Sequence, residues 1–277
     1  MSDESHGHTE AAIANAQNDH KIHLEGMAEA AVEIRQRPLV VRAYAMDDPE
    51  APSVDDTTKN VKVAHFLRHG QGFHNLMADL FTEAGKTWVN VTNTKENPYV
   101  MPEITDSPLT SKGREQAALV QKDVAALGED QKPELVVLSP NCRALQTGVI
   151  AFQELVGKVP FLAHETVREE TGVHTCDKRR PTSQQAREFP MVDFSLMTEE
   201  EDTIFQTDKR ETKAELTDRI YNFFEWLETR DERIVAVASH SCWLLCVFNA
   251  NVQAKDGLKG WFQTGELRSV VLEFVRS

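Results

Sequence analysis

From Val61 onward, short β-branched runs alternate with stretches whose apolar residues recur every three or four positions. That alternation predicts an α/β fold: a mostly parallel central sheet with helices on both faces. Val61 to Leu67 forms the first strand of the series and ends in a turn carrying Arg68, His69 and Gly70. After an irregular stretch to Pro108, Thr110 or Ser111 caps a helix in which Ala117, Val120, Val124 and Leu127 share one face, stopped at Gly128. The strand Leu135 to Leu138 leads through Ser139 and Pro140 into a helix with Leu145, Val149, Phe152 and Val156, stopped at Gly157. Pro160 to Ala163 reads as a third strand. Leu216, Ile220, Phe223 and Leu227 mark a long amphipathic helix, Ile234 to Ala238 a buried strand before Ser239 and His240, and Cys242 to Phe248 an apolar helix. Leu267 to Val275 closes the chain as a strand. The polar stretch from Glu165 to Asp193, basic in its middle, suits a loop or lid over a site.

Residues 1–60 read differently. They are rich in Ala, Asp, Glu and His, with an acidic, proline-containing stretch from Asp47 to Asp56, and are expected to form a partly irregular N-terminal extension to a domain spanning 61–277. Ile22, Leu24, Met27, Ala31 and Ile34 suggest a weak helix there, and Leu39 to Met46 a short strand. His6, His8, His20 and His23 lie on a polar terminal segment and read as solvated surface rather than metal ligands.

A chain of 277 residues that is 40% hydrophobic buries a sizeable core, and its net charge of -14 argues against nucleic acid and anionic membranes as partners. No apolar run reaches membrane-spanning length and MSDESHGHTE is no secretory signal, so a cytoplasmic protein is expected. Cys142, Cys176, Cys242 and Cys246 read as reduced thiols, the last two as core residues.

Open parallel sheets bind ligands beyond the carboxyl ends of their strands. The strand ends here deliver Arg68 and His69, Arg143, Arg168 with Glu169, and His240. Several arginines at one rim suit a phosphate, whose oxygens match their forked donors. A neutral histidine beside them suits a nucleophile, one ring nitrogen attacking while the other is held by a hydrogen bond.

The run Leu67-Arg68-His69-Gly70-Gln71-Gly72-Phe73-His74-Asn75 resembles the Arg-His-Gly signature of the histidine phosphatase superfamily, also called phosphoglycerate mutase-like. Asp106-Ser107-Pro108-Leu109-Thr110, Ser139-Pro140 before Arg143-Ala144-Leu145-Gln146-Thr147, and Ser239-His240 complete the resemblance in order. It implies a three-layer phosphoglycerate mutase-like fold and a phosphohistidine at His69. Arg68, Arg143 and His240 would hold the phosphoryl oxygens, with Gly70, His74, Asn75 and Arg168 beside them, and no metal or cofactor would be required. The acid that protonates the leaving group falls on Glu169, with Glu170 its adjacent competitor. Asn75 has the alternative of capping a helix, and Arg168 that of an ion pair beside the two glutamates.

Lys178, Arg179 and Arg180 have two readings: positive charge for a second anionic group on the substrate, or a solvated basic loop. His164, His174 and Cys176 fit no standard zinc spacing. The implied partner is a phosphorylated small molecule; the oligomeric state is not readable from the chain. The expected activity is hydrolysis of a phosphomonoester. Family mutases carry a Glu-Arg-His-Tyr-Gly segment where this chain has Arg168-Glu169-Glu170-Thr171-Gly172, which disfavours the alternative of mutase-type transfer. A silent phospho-ligand binder is the third reading.

Overall fold

A computed structural model describes residues 24, 26–56, 58–86 and 97–276 of the chain. Seven strands make one sheet: β1 (Leu39–Ala45), β2 (Asn60–Arg68), β3 (Leu135–Leu138), β4 (Phe161–Ala163), β5 (Ile234–Ser239), β6 (Val252–Ala254) and β7 (Leu267–Arg276). Their order is β4-β3-β5-β2-β7-β1-β6, and β7 alone among them runs against its neighbours. β3 and β5 are buried along their whole length, as expected of parallel strands covered on both faces.

The pleat sends alternate residues to opposite faces, so one strand feeds two cores. Val137, Val235, Val237, Ala64 and Phe66 pack with residues of α1 (residues 26–34) and of α6 (Lys213–Glu228) and α7 (Ser241–Cys246). Val136, Leu138, Ala236, Ala238 and Leu67 pack on the other face with residues of α3 (Ser111–Ala125) and α4 (Cys142–Ala151). The three layers are therefore helix, sheet, helix, as expected. Thr110 is the N-cap of α3, accepting from the Gly113 amide at 3.1 Å.

Three expectations change. The division at residue 60 does not separate an extension from the rest: β1 pairs with β7 along its whole length, and Met27, Ala31, Ile34 and Leu39 belong to the shared core. The acidic stretch between β1 and β2 is a connection, not a boundary. The four N-terminal histidines considered for metal lie outside the described residues. The span after the first strand, read as irregular, contains the helix α2 (Phe73–Glu83), and the 165–193 segment contains the short helix α5 (Thr182–Glu188).

Backbone packing fixes the turn after β2. An added Cβ on Gly70 would lie 2.3 Å from the Gly113 carbonyl oxygen, and one on Gly113 would lie 2.2 Å from that of Gln71. Only glycines let the turn and the start of α3 approach so closely. Gly70→Ala is expected to cost about 1–3 kcal/mol of stability, because backbone on both sides has to move. A urea midpoint unchanged by that substitution would contradict the packing.

Candidate active site

Neighbouring strands end together at the site. The His69 amide donates to the Ser239 carbonyl at the end of β5, and the Ser139 amide donates to Ala238. This register places the residues following β2, β3 and β5 side by side. Arg68, His69, Arg143 and His240 accordingly converge, each less than a tenth exposed.

The His69 ring is oriented by its own turn. Nδ1 lies 2.7 Å from the Gly70 carbonyl, which can only accept, so the proton sits on Nδ1 and Nε2 carries the lone pair. The Arg143 Nε–H donates to that Nε2 at 3.3 Å. The ring centroid of His240 is 5.0 Å away and that of His74 is 5.4 Å away. Burial first, then the charges of Arg143, His240, His74 and Arg68, holds the His69 imidazole well below the ordinary histidine range. Neutral imidazole is thus the resident form.

Arg143 is set by a residue that the sequence did not single out. Its second amino nitrogen donates to Asp177 Oδ1 at 2.7 Å, and the first donates to the Cys176 carbonyl. Burial opposes the charge of Asp177, but Arg210, His174 and Arg143 together hold its carboxyl well below the usual range. Arg210 reaches it from a distant loop at 2.8 Å. The only signal in sequence was one carboxylate inside a basic run, and it went to the basic residues.

Two nitrogens of these four residues are buried without a hydrogen-bond partner in the protein: Arg68 Nε and His240 Nδ1. Arg68 donates through its terminal nitrogen to the Phe262 carbonyl at 2.7 Å. Burial brings its guanidinium down to about 10, still protonated at neutral pH. His240 Nε2 is 2.7 Å from the Ser139 hydroxyl.

Glu169 lies within electrostatic reach of both Arg68 and Arg143. Its two oxygens accept from the amides of Glu170, Cys242 and Trp243 and from the Ser241 hydroxyl, which ties the carboxylate to the turn that carries His240. Arg219 clamps the same loop by donating to the carbonyls of Thr166, Arg168 and Glu169. Glu170 turns away to Lys213 and Arg210. The geometry thus separates the two adjacent glutamates.

Other expected site residues are engaged elsewhere. Asn75 Oδ1 accepts from the Gly72 amide and caps α2. Gly70 contributes backbone, its amide donating to Thr147 Oγ1 at 3.0 Å. Arg168 is fully buried and bonded to Asp202 and Glu165. Arg179 is buried on Glu165 and three consecutive carbonyls from Glu199 to Glu201, and Arg180 pairs with Asp106 and Glu188. Lys178 is exposed and lies 5.7 Å from the Phe205 ring. The 165–193 segment is therefore pinned by ion pairs, and of its basic residues Arg168, Arg179 and Arg180 are engaged by carboxylates.

The buried histidines make stability pH-dependent. The unfolded chain binds protons on them near the ordinary 6.5, while burial keeps folded His69, His74 and His240 neutral well below that value and lowers His164 to about 4. The unfolded state binds more protons, so stability is complete above about pH 6.5 and is lost as pH falls below it. Urea midpoints measured near pH 7.5 and near pH 5.5 should fall on acidification; equal midpoints would contradict the assignment.

A mostly parallel sheet whose strand ends gather two histidines and two arginines is an arrangement that suits a phosphoryl group. Residues 65–275 match the model of the histidine phosphatase superfamily (branch 1), and the chain belongs to that family. It is 32% identical to phosphoglycerate mutase-like protein 1 of Arabidopsis thaliana over 242 residues, which is 76% of this chain and 81% of the relative. Phosphoglycerate mutase-like protein 2 of the same plant is 28% identical over 76% of this chain and 74% of its own length. Among solved structures, the mycobacterial glucosyl-3-phosphoglycerate phosphatase with VO3 aligns at a TM-score of 0.43 and 17% identity, over 75% of this chain and 90% of that one. No helix among the described residues is long and apolar enough to cross a membrane.

Proposed function

We propose that this protein hydrolyses phosphomonoesters of small molecules through a phosphohistidine on His69. The observation that carries the reading is the His69 ring itself: Nδ1 locked on Gly70, Nε2 unprotonated and facing Arg143, in a neutral imidazole. In the first half-reaction the Nε2 lone pair forms a bond to phosphorus and the ester P–O bond breaks. Glu169 enters this step protonated on Oε2, with the rotatable Ser241 hydroxyl turned off that oxygen, and gives its proton to the departing oxygen. In the second, water attacks phosphorus, gives its proton to the Glu169 carboxylate, and the P–N bond breaks to release inorganic phosphate and neutral His69. Charge on the three phosphoryl oxygens grows as each half-reaction proceeds, and donors already in place lower that barrier. Arg68, Arg143 and His240 supply them. With the Ser139 hydroxyl assigned as donor to His240 Nε2, the His240 proton sits on Nδ1, the unbonded nitrogen.

Hydrolysis is favoured over mutase-type transfer by where the cations are. Returning the phosphoryl group to a bound carboxylate-bearing monophosphate needs positive charge beyond the phosphate cradle. Arg168, Arg179 and Arg180 are instead consumed by Asp202, Glu165, Asp106 and Glu188. The test is a panel of phosphorylated metabolites with p-nitrophenyl phosphate as reference, read by inorganic phosphate. Phosphate release is the expected result. Interconversion of 3- and 2-phosphoglycerate faster than any phosphate release would overturn it.

A further inference from the structure

His69 has two imidazole neighbours: the ring centroid of His240 is 5.0 Å away and that of His74 is 5.4 Å away. His240 has its part in the hydrolysis described above, and His74 has none. Yet His74 is buried within the same group of charges. Burial first, then Arg143, holds its imidazole well below the ordinary histidine range against the opposing Asp177, and its own charge would weigh on both His69 and His240. Gly72 makes room for the ring. Its φ of -87° suits any residue, but an added Cβ would lie 2.6 Å from His74 Nδ1 and 3.5 Å from Arg143 Cδ, so the ring packs on bare backbone beside the Arg143 side chain.

Ser107 sets the tautomer of that ring. The Phe73 amide donates to the Pro108 carbonyl at 3.1 Å, which holds the segment 106–109 against the start of α2, and the Ser107 hydroxyl lies 2.8 Å from His74 Nδ1. This buried hydroxyl has no other hydrogen-bond partner among the described residues, so its hydrogen is satisfied only by donation to Nδ1, which assigns the ring proton to Nε2. The Nε2–H makes no hydrogen bond among the described residues and, unlike His240 Nδ1, is not sealed from solvent.

We propose that His74 is a further catalytic residue, its Nε2–H donating to an oxygen of the phosphoryl group that His69 takes up. This rests on the phosphohistidine reading above and adds to it a donor supplied by α2. The arrangement repeats that of His240: a buried serine hydroxyl, Ser139 there and Ser107 here, lies 2.7 and 2.8 Å from one ring nitrogen, and the other nitrogen is unbonded. Both rings adjoin the imidazole that bonds to phosphorus, where negative charge grows on the oxygens and a donor already in place stabilises it. A neutral donor does so without the desolvation that another buried cation costs.

The test compares wild type with His74→Phe and His74→Gln in kcat and KM for p-nitrophenyl phosphate and in the Kd of orthovanadate by titration calorimetry, with urea midpoints to keep folding apart from chemistry. Orthovanadate adopts the five-coordinate geometry of a phosphoryl group in transfer, so its Kd reads the donor directly. His74→Phe keeps a ring against Gly72 without a donor. It is expected to lower kcat and to raise the vanadate Kd by about tenfold to a hundredfold each, the range for one hydrogen bond to a charged group, with KM little changed. His74→Gln, whose amide can reach the Nε2 position, should recover most of both. The ring-nitrogen NMR shifts of His74, assigned by their loss in His74→Phe, should place the proton on Nε2. A folded His74→Phe with kcat and vanadate Kd near wild type, a His74→Gln no better than His74→Phe, or a proton on Nδ1 would overturn the proposal. Wild-type protein that binds vanadate in a His74-dependent way but releases no phosphate would support the contact and bring down the hydrolytic reading alone; absence of both would bring down the two together.

Discussion

Replacing His69 with alanine is expected to reduce phosphate release to about one ten-thousandth of wild type or less. The nucleophile supplies the bond that divides one displacement into two, and the remaining donors only stabilise a direct attack by water. Losses of that order accompany removal of a nucleophile from an otherwise intact site. His69 also donates to the Gly70 carbonyl, so the substitution leaves one buried acceptor unbonded. Hence His69→Asn, which keeps a donor near that carbonyl, serves as a second variant: it should be comparably inactive while retaining more of the urea midpoint. Appreciable phosphate release by both folded variants would contradict the role assigned to His69.

Arg143→Ala is expected to lower kcat by about a hundred- to a thousandfold, the range seen when one preset donor to a developing anion is removed. The Arg143 side chain joins two functions. Its Nε–H faces His69 Nε2, and its amino nitrogens are anchored by Asp177 and Cys176. Asp177 keeps Arg210 and His174 as partners when Arg143 is lost, so the variant is expected to fold. Arg143→Lys retains the charge but neither the fork nor the Nε–H, and should restore little of the activity. A lysine variant near wild type in kcat would show that charge alone is needed at that position and that the Asp177 anchor is irrelevant to turnover.

The parts of this protein that could be read in the chain are those whose cause is local. β3 and β5 are apolar because both their faces are covered, and the polar residues at the ends of β2, β3 and β5 had to lie at a sheet end. His69, Arg68, Arg143 and His240 followed from that. What escaped depends on distant partners. Asp177 gains its meaning only from Arg143, 34 residues earlier in the chain, and from Arg210, 33 residues later. Arg179 and Arg180 admit a reading as free charge because their partners Glu165 and Asp106 stand 14 and 74 residues away in the chain. β1 was set apart by the acidic linker behind it, although its seven residues complete the sheet with β7. α2 was obscured by exposed Phe73 and Leu80, which blur its amphipathic pattern.

The central claim is that phosphorus is carried on Nε2 of residue 69. Rapid mixing with a phosphomonoester, quenching in base, and mass spectrometry of the digested protein measure it directly. The account predicts one base-stable, acid-labile phosphoryl group on the peptide containing His69, formed no more slowly than phosphate is released and missing in His69→Ala. Steady phosphate release with no protein-bound phosphoryl group formed, or with that group on another residue, would contradict it.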